Sequence, residues 1–420
     1  MSQLIIRSGR ALEGTVPISG AKNSVLKLMA ATVLAPGRYL IRNVPRISDV
    51  EWMGDTLRAI GTEVTWEGDD AIAVEGGVDV VPETPYDLVE RMRASTALLG
   101  PLLARVGEAR IAMPGGDDFG SRPINLHLSG LEQLGATFDL QHGTIFGRAD
   151  RLEGAHVVLE YPSVGATENI MLAATLADGV TTIDNAAREP EIADLAAFVN
   201  RMGAKVLGAG SPTVVIEGVD SLHPVAHDVI PDRIEAATYL AAVGVAGGEV
   251  VLEGARPDHM QMLMSKMGAM GVRTSPDSAG IWVMAAGRLK PIDVASLPYP
   301  GIATDYLPLL VAMLSTADGP SYATENLFGG RFRYVGELLR MGADVAVDGH
   351  HLVVRGVDRL SGAPVRALDI RAGAALVVAA LGAEGETDIH GGEHLDRGYN
   401  RLVEKLQSIG ADVTRGDQSQ

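Results

Sequence analysis

The sequence contains no cysteine. That excludes disulfides, thiolate metal sites and a cysteine nucleophile. Aromatic residues make up only 4% of the chain against 46% hydrophobic, so a core must be aliphatic, built from Leu, Val, Ile, Ala and Met. No run of lysine and arginine appears, and the formal net charge is −18. A nucleic-acid binder would need a basic patch that stands out against this background. Any arginine cluster in so acidic a chain would need anionic company. No apolar run approaches the roughly 20 residues that span a membrane. The richest, Tyr306 to Leu314, is interrupted by Pro308, and near the start only Leu4-Ile5-Ile6 is apolar, too short for a signal-peptide core. The expectation is a soluble, cytoplasmic protein that binds neither nucleic acid nor membrane. A P-loop is absent, and Gly208-Ala209-Gly210 runs into Ser211-Pro212 without a helix, which reads as a turn and not a dinucleotide fingerprint. His350-His351 reads as hairpin-turn polarity. No closely spaced His/Asp set suggests a metal, so no cofactor is expected.

What the chain does have is repetition. An apolar residue, a glycine, usually Ala and often Val recur at Ile60-Gly61, Leu134-Gly135-Ala136, Met202-Gly203-Ala204, Met270-Gly271-Val272, Met341-Gly342-Ala343 and Ile409-Gly410-Ala411. These glycines are 74, 68, 68, 71 and 68 residues apart. A second series, Gly37, Gly107, Gly179, Gly248, Gly319 and Gly385, opens short alternating strands such as Val180-Thr181-Thr182-Ile183. Six units of about 70 residues fill the 420-residue chain. Each reads strand, loop, helix, glycine stop, strand, turn, strand. Helical spacing is clear at Val50, Met53, Leu57 and Ile60, at Ile192, Leu195, Val199 and Met202, and at Leu402, Val403, Leu406 and Ile409. Ser48 with Glu51, and Asp232 with Glu235, have capping-box spacing, and the recurrent glycine suits a left-handed helix end. A solenoid scaffold is one reading of such periodicity. The long unit and its mixture of helix with strand favour two compact domains of three units, helices inside, with a crossing near Val229–Asp232.

Function is expected where one unit departs from the rest. In the second unit the loop before the helix is Pro114-Gly115-Gly116-Asp117-Asp118-Phe119-Gly120-Ser121-Arg122-Pro123. It reads either as a lid carrying Asp117 as a catalytic group or as an ordinary surface turn. Lys22, in Gly20-Ala21-Lys22-Asn23-Ser24, opens an apolar helix that runs through Leu34. A lysine there opposes the helix dipole unless an anion also sits at that end, the alternative being a solvated side chain. Asp369-Ile370-Arg371 and Asp396-Arg397-Gly398-Tyr399 put Asp beside Arg at or near a helix start. Arg331 follows Phe328-Gly329-Gly330, and Arg93 follows Arg91-Met92. With Lys22 and Arg122, these guanidinium forks suggest a site for a multiply charged substrate.

Together these motifs resemble those of the UDP-N-acetylglucosamine 1-carboxyvinyltransferases, the enolpyruvyl transferases that open peptidoglycan synthesis. The resemblance runs the length of the chain, through Gly20-Ala21-Lys22-Asn23, Met92-Arg93-Ala94-Ser95, Pro114-Gly115-Gly116, Arg122-Pro123, Ser163-Val164-Gly165-Ala166-Thr167, Asn185 to Glu191, Pro231-Asp232-Arg233, Thr304-Asp305, Asp369-Ile370-Arg371 and Asp396-Arg397-Gly398-Tyr399. The related shikimate-pathway synthase shares the six-repeat fold but not this series. The resemblance implies an α/β fold, a two-domain inside-out α/β barrel of six βαβαββ repeats. One domain would hold residues 1–21 and 230–420 with repeats four to six. The other would hold 22–229 with repeats one to three and the Pro114–Pro123 loop. It implies phosphoenolpyruvate and UDP-N-acetylglucosamine as small-molecule substrates. Asp305 would be the base for the sugar 3-hydroxyl. Lys22, Arg122, Arg331, Arg371 and Arg397 would hold phosphate and carboxylate, with Arg331 and Arg371 on the carboxylate side. Arg93 and the segment from Arg122 and Pro123 to His127 would face the nucleotide, Asn23 would touch the sugar, and Ser163, Val164 and Gly165 would line the substrate site.

Three departures stand out. The residue after Pro-Gly-Gly is commonly cysteine in this family and here is Asp117. A free thiol titrates near 8.5 and a free Asp near 3.9, so Asp117 must be held protonated by burial or a like charge to act as the general acid. Resistance to fosfomycin, which alkylates that cysteine, is expected. Gly329-Gly330 stand where Glu-Asn is usual, and Asn125 where Asp is usual. Both bear on the acceptor, and leave room for another uridine nucleotide. A non-catalytic nucleotide-sugar-binding regulator is the reading from a different class, and the intact Lys22, Asp305, Arg371 and Arg397 stand against it.

Overall fold

The computed structural model describes residues 2–113, 115 and 123–416. They divide into two compact units: the described residues of 1–19 with 231–420, and those of 20–116 with 123–230. The chain therefore leaves the first unit after Ser19 and returns to it at Pro231.

Each repeat is richer than its hydrophobic pattern. The fifth runs from a short strand, Val294–Ala295, to an inner helix, Leu307–Leu314, then to the strand Pro320–Thr324, an outer helix Val335–Arg340, and the hairpin Asp344–Asp348 with His351–Arg355. The short strand lies parallel to the central one, and the hairpin continues the sheet antiparallel. Among the described residues, five sheets have this four-strand order. In the second repeat the short strand is reduced to a single bridge, Glu83 to Arg110.

The units are closed by their own ends. Gln3–Arg7 pairs with both Glu386–His390 and Asp412–Gly416, and Leu12–Pro17 lies parallel to Gly248–Glu253. In the second unit Ala226–Asp228 lies parallel to Gly37–Arg42 and completes the first repeat's sheet. Within the first unit the inner helices Arg233–Ala246, Leu307–Leu314 and Ile370–Gly382 pack on one another. They are buried almost throughout, Arg233 to Gly244 and Ile370 to Leu381 without a break. The outer helices are amphipathic, and the three apolar faces read from the sequence are buried.

All twelve marker glycines have positive φ, from 77° at Gly107 to 135° at Gly319. The sequence period thus records a backbone requirement, because side chains rarely adopt that conformation. The capping expectations divide. Asp232 does cap its helix, accepting from the N–H groups of Ile234 at 2.7 Å and Glu235 at 3.0 Å. Glu235 does not return to it: its carboxylate takes the Ser19 N–H at 2.7 Å and Lys405 Nζ at 2.6 Å. Ser48 is already the first residue of Ser48–Ala59, the cap position is Ile47, and Glu51 accepts from Trp66 Nε1 at 2.8 Å. A serine inside the first turn cannot reach the free N–H groups a cap must satisfy. Among the described residues no helix is long and apolar enough to cross a membrane. Gly208-Ala209-Gly210 forms the turn expected of it.

Candidate active site

The inner helices of the first unit each bring a charged residue to their N-terminal ends. Arg233 opens one, Asp305 lies just before another, and Arg371 is the second residue of the third. Cations at helix N-termini oppose the dipole, and carboxylates answer them. Asp369 caps its helix through the N–H groups of Arg371 and Ala372, both at 2.8 Å. Asp305 is shared between two guanidiniums: Arg331 Nη2 donates to Oδ1, and Arg371 Nε to Oδ2 at 3.3 Å. The arginine side chains are only 4% and 6% exposed, the carboxylate 22%. Burial alone would push the Asp305 carboxyl up. Arg331 and Arg371, with Arg233 behind them, reverse that and hold it well below the usual carboxylate range.

Neighbouring side chains hold this cluster in place. Arg331 Nη1 donates to Thr304 Oγ1 at 2.7 Å, and Thr304 donates to Glu325 Oε2 at 2.7 Å. Glu325 is fully buried, and its other oxygen accepts from Ser296 Oγ at 2.7 Å and the Leu327 N–H at 2.8 Å. It thereby fixes the start of the turn that delivers Arg331. On the other side Arg371 Nη1 donates to Tyr399 Oη at 3.2 Å, which lies 2.8 Å from Thr238 Oγ1. Thr238 spends its own proton on Ile234 O at 3.0 Å, so the phenol donates to Thr238. Tyr399, in the Asp-Arg-Gly-Tyr motif, and Thr304, in Thr304-Asp305, carried a sequence signal. Glu325 looked like any acid after a strand.

Arg397 departs from expectation. Asp396 and Arg397 stand at the end of the short helix Glu393–Asp396, not at a start, and Asp396 pairs with Arg415. Arg397 is half-buried just beyond. Gly329 and Gly330 form the turn before Arg331, with Gly329 exposed.

In the second unit Lys22 is the buried first residue of the inner helix Lys22–Ala31, and an anion does share that end: Asp49 Oδ2 lies 2.7 Å from Nζ. Asn23 follows, half-buried. Arg93 opens the 3-10 helix Arg93–Leu98 and donates from Nη2 to Pro123 O at 3.2 Å. His127 is buried on the helix Asn125–Gln133, whose exposed first residue is Asn125. Ser163 caps Val164–Ala174 through the Ala166 N–H at 3.3 Å, Val164 is half-buried, and Gly165 lies against the His127 ring. Arg93, Pro123, His127 and Gly165 thus meet in one cluster. Burial, then the charges of Arg93 and Lys27, lower the His127 pKa to about 3, so the ring is neutral. Asp117 and Arg122 lie outside the described residues. No group of three or more potential metal ligands occurs among the described residues.

Three-repeat units with basic residues and carboxylates gathered at the inner-helix ends fit an enolpyruvyl transferase architecture. The chain is similar to the crystal structure of the enolpyruvyl transferase NikO from Streptomyces tendae, with a TM-score of 0.89, 30% identity and 99% of each chain covered. The model of the family EPSP synthase (3-phosphoshikimate 1-carboxyvinyltransferase) matches residues 6–406. The UDP-N-acetylglucosamine 1-carboxyvinyltransferase of Mycobacterium bovis is 49% identical over 417 residues, 98% of this chain and 99% of that one. That of Corynebacterium jeikeium is 47% identical over 411 residues, 98% of each. The chain belongs to this family, among its UDP-N-acetylglucosamine 1-carboxyvinyltransferases.

Proposed function

We propose that this chain transfers the enolpyruvyl group of phosphoenolpyruvate to the 3-hydroxyl of UDP-N-acetylglucosamine, releasing phosphate, as the first committed step of peptidoglycan synthesis in the cytoplasm. The reading rests on near-full-length relatives that carry this activity in their names. The observation that carries the chemistry is Asp305, a carboxylate kept ionised by two buried arginines.

The sugar hydroxyl adds to C2 of phosphoenolpyruvate while C3 takes a proton. The C2–O bond to phosphate then breaks as C3 gives a proton back, leaving an enol ether. Asp305 takes the hydroxyl proton, and Asp117 is the proton donor to C3. A carboxylate clamped by two guanidiniums is a weak base. Arg331 and Arg371 resolve this if they exchange Asp305 for the substrate's carboxylate: the base loses the partners that depress its pKa as the anion arrives. Lys22, Arg122 and Arg397 take the phosphate, where fixed donors stabilise developing charge. Arg93, Pro123, His127, Ser163, Val164 and Gly165 face the nucleotide, and Asn23 the sugar.

The test is phosphate release from phosphoenolpyruvate with UDP-N-acetylglucosamine, with UMP and shikimate 3-phosphate as parallel acceptors. Release with UDP-N-acetylglucosamine alone, abolished by Asp305→Ala, is the expected result. Release only with another acceptor would move the protein to a different pathway with the same chemistry. Nucleotide binding without release from any acceptor would make it a regulator.

A further inference from the structure

The amide of Asn169 has its two ends assigned by backbone groups. Oδ1 accepts the Gly100 N–H at 2.9 Å, and Nδ2 donates to Thr96 O at 2.9 Å. The reversed amide would oppose N–H to N–H and oxygen to oxygen, so its orientation is determined. The second hydrogen of the same NH2 is directed at His127 Nδ1, 2.8 Å away. A ring nitrogen that faces a donor must accept, so Nδ1 carries no proton and the imidazole hydrogen sits on Nε2. Both residues are buried, so water cannot readily replace this bond. The Nε2 edge lies across Gly165, where a β-carbon would stand 2.7 Å from Cε1 and 2.9 Å from Nε2. A larger residue there would displace the ring. The charged groups acting on the ring are Arg93 and Lys27, and Lys27 is itself paired with Glu168 at 2.5 Å.

We propose that Asn169 is a positioning residue, which holds His127 as a neutral ring with its hydrogen on Nε2, so that this edge offers the nucleotide one fixed hydrogen-bond donor. This rests on the nucleotide-sugar reading above. A bare Nε2 could only accept a hydrogen bond, whereas the Nε2–H tautomer can only donate one. Asn169 thus fixes the sense of the hydrogen bond that His127 offers.

The test uses the full chain labelled with 15N-histidine, the His127 signals being assigned by their loss in His127→Gln. Without substrate, wild type is expected to show Nε2 protonated and Nδ1 bare, unchanged from pH 8 to pH 5. A proton on Nδ1 at pH 7 overturns the proposal. In Asn169→Asp the carboxylate cannot donate to Nδ1, so the ring should move its proton to Nδ1 and leave Nε2 bare. The dissociation constant for UDP-N-acetylglucosamine, read by calorimetry, should then rise about tenfold, the size of one hydrogen bond, while the KM for phosphoenolpyruvate stays within about twofold. The same change made in the His127→Gln background should have no further effect on nucleotide affinity. An Asn169→Asp chain whose nucleotide affinity is unchanged, or whose two substrates weaken equally, refutes the positioning role. If wild type fails to bind the nucleotide sugar at all, the acceptor assignment fails, and the ring's protonation remains a separate result.

Discussion

Replacing Asp305 by Asn tests the arginine exchange, because it removes the charge and keeps the shape. In the resting protein the carboxylate holds Arg331 and Arg371, at 3.3 Å for the latter. A hydrogen bond to a charged group contributes about 1.5–3 kcal/mol net. An incoming anion must displace at least one such bond before it gains its own. Asp305→Asn leaves two buried guanidiniums with a weaker competitor, so phosphoenolpyruvate and inorganic phosphate should bind about tenfold more tightly or better. Removing a general base costs about 10²–10⁴ in rate, so kcat should fall by that factor. Calorimetric titration with phosphate and steady-state phosphate release read the two effects separately. Opposite movement is the signature of a carboxylate that is both base and competitor. Anion affinity that falls in step with kcat, or a kcat kept within tenfold, would refute the reasoning. The variant should also flatten the acid limb of stability against pH. Asp305 has a depressed folded pKa, so its contribution is fully present above its unfolded value near 3.9 and is lost as pH falls towards the folded one.

Fosfomycin should leave the protein active and unmodified and should inactivate Asp117→Cys, with mass spectrometry reading the adduct; a covalent adduct on the natural chain would contradict this. Lys405→Met strips Glu235, 2% exposed, of its cation and leaves only the Ser19 N–H. Urea denaturation should report a loss of about 3–5 kcal/mol, largely recovered by adding Glu235→Gln, and a loss under about 1 kcal/mol would deny that the pair is coupled. Gly20→Ala would put a β-carbon 1.7 Å from the Asn43 carbonyl oxygen. It should destabilise the protein by about 1–3 kcal/mol or more, whereas Gly268→Ala, exposed on a helix with no neighbour within 4 Å, should be neutral or stabilising.

What was legible in the sequence follows from which residues have one dry face. The outer helices announce themselves because one face meets water: Val50, Met53, Leu57 and Ile60 are buried, while Glu51, Asp55 and Arg58 between them are exposed. The inner helices have no such contrast. Leu307–Leu314 is buried at every position, so it reads as an apolar run without a face. The short parallel strands are two or three residues long in places, as at Val294–Ala295 and Ala226–Asp228, too short for alternation to register. Charged site residues were visible because arginine and lysine beside glycine or at helix starts demand an explanation. Asn169 and Glu325 were not, because their work is to orient other side chains. Their partners lie 42 and 21 residues away, at His127 and Thr304.

Four cations near the inner-helix ends come with carboxylates. Lys22 has Asp49, Lys27 has Glu168, and Arg331 and Arg371 share Asp305. This is the anionic company that an acidic chain requires, and it changes what binding means. Unpaired buried guanidiniums would be expensive to keep dry, so these cations fold with their charge already answered. On the proposed reading a substrate anion would bind by exchange, and its affinity would be the difference between two ion pairs, not the strength of one. Differences are easier to tune than sums: a shift of a few tenths of an ångström in Glu325 or Thr304 alters the internal pair without touching the ligand. The same exchange would leave Asp305 free of its clamp only once the anion has arrived. The proposed base would then strengthen in the presence of the molecule it acts with, and stay weak in its absence.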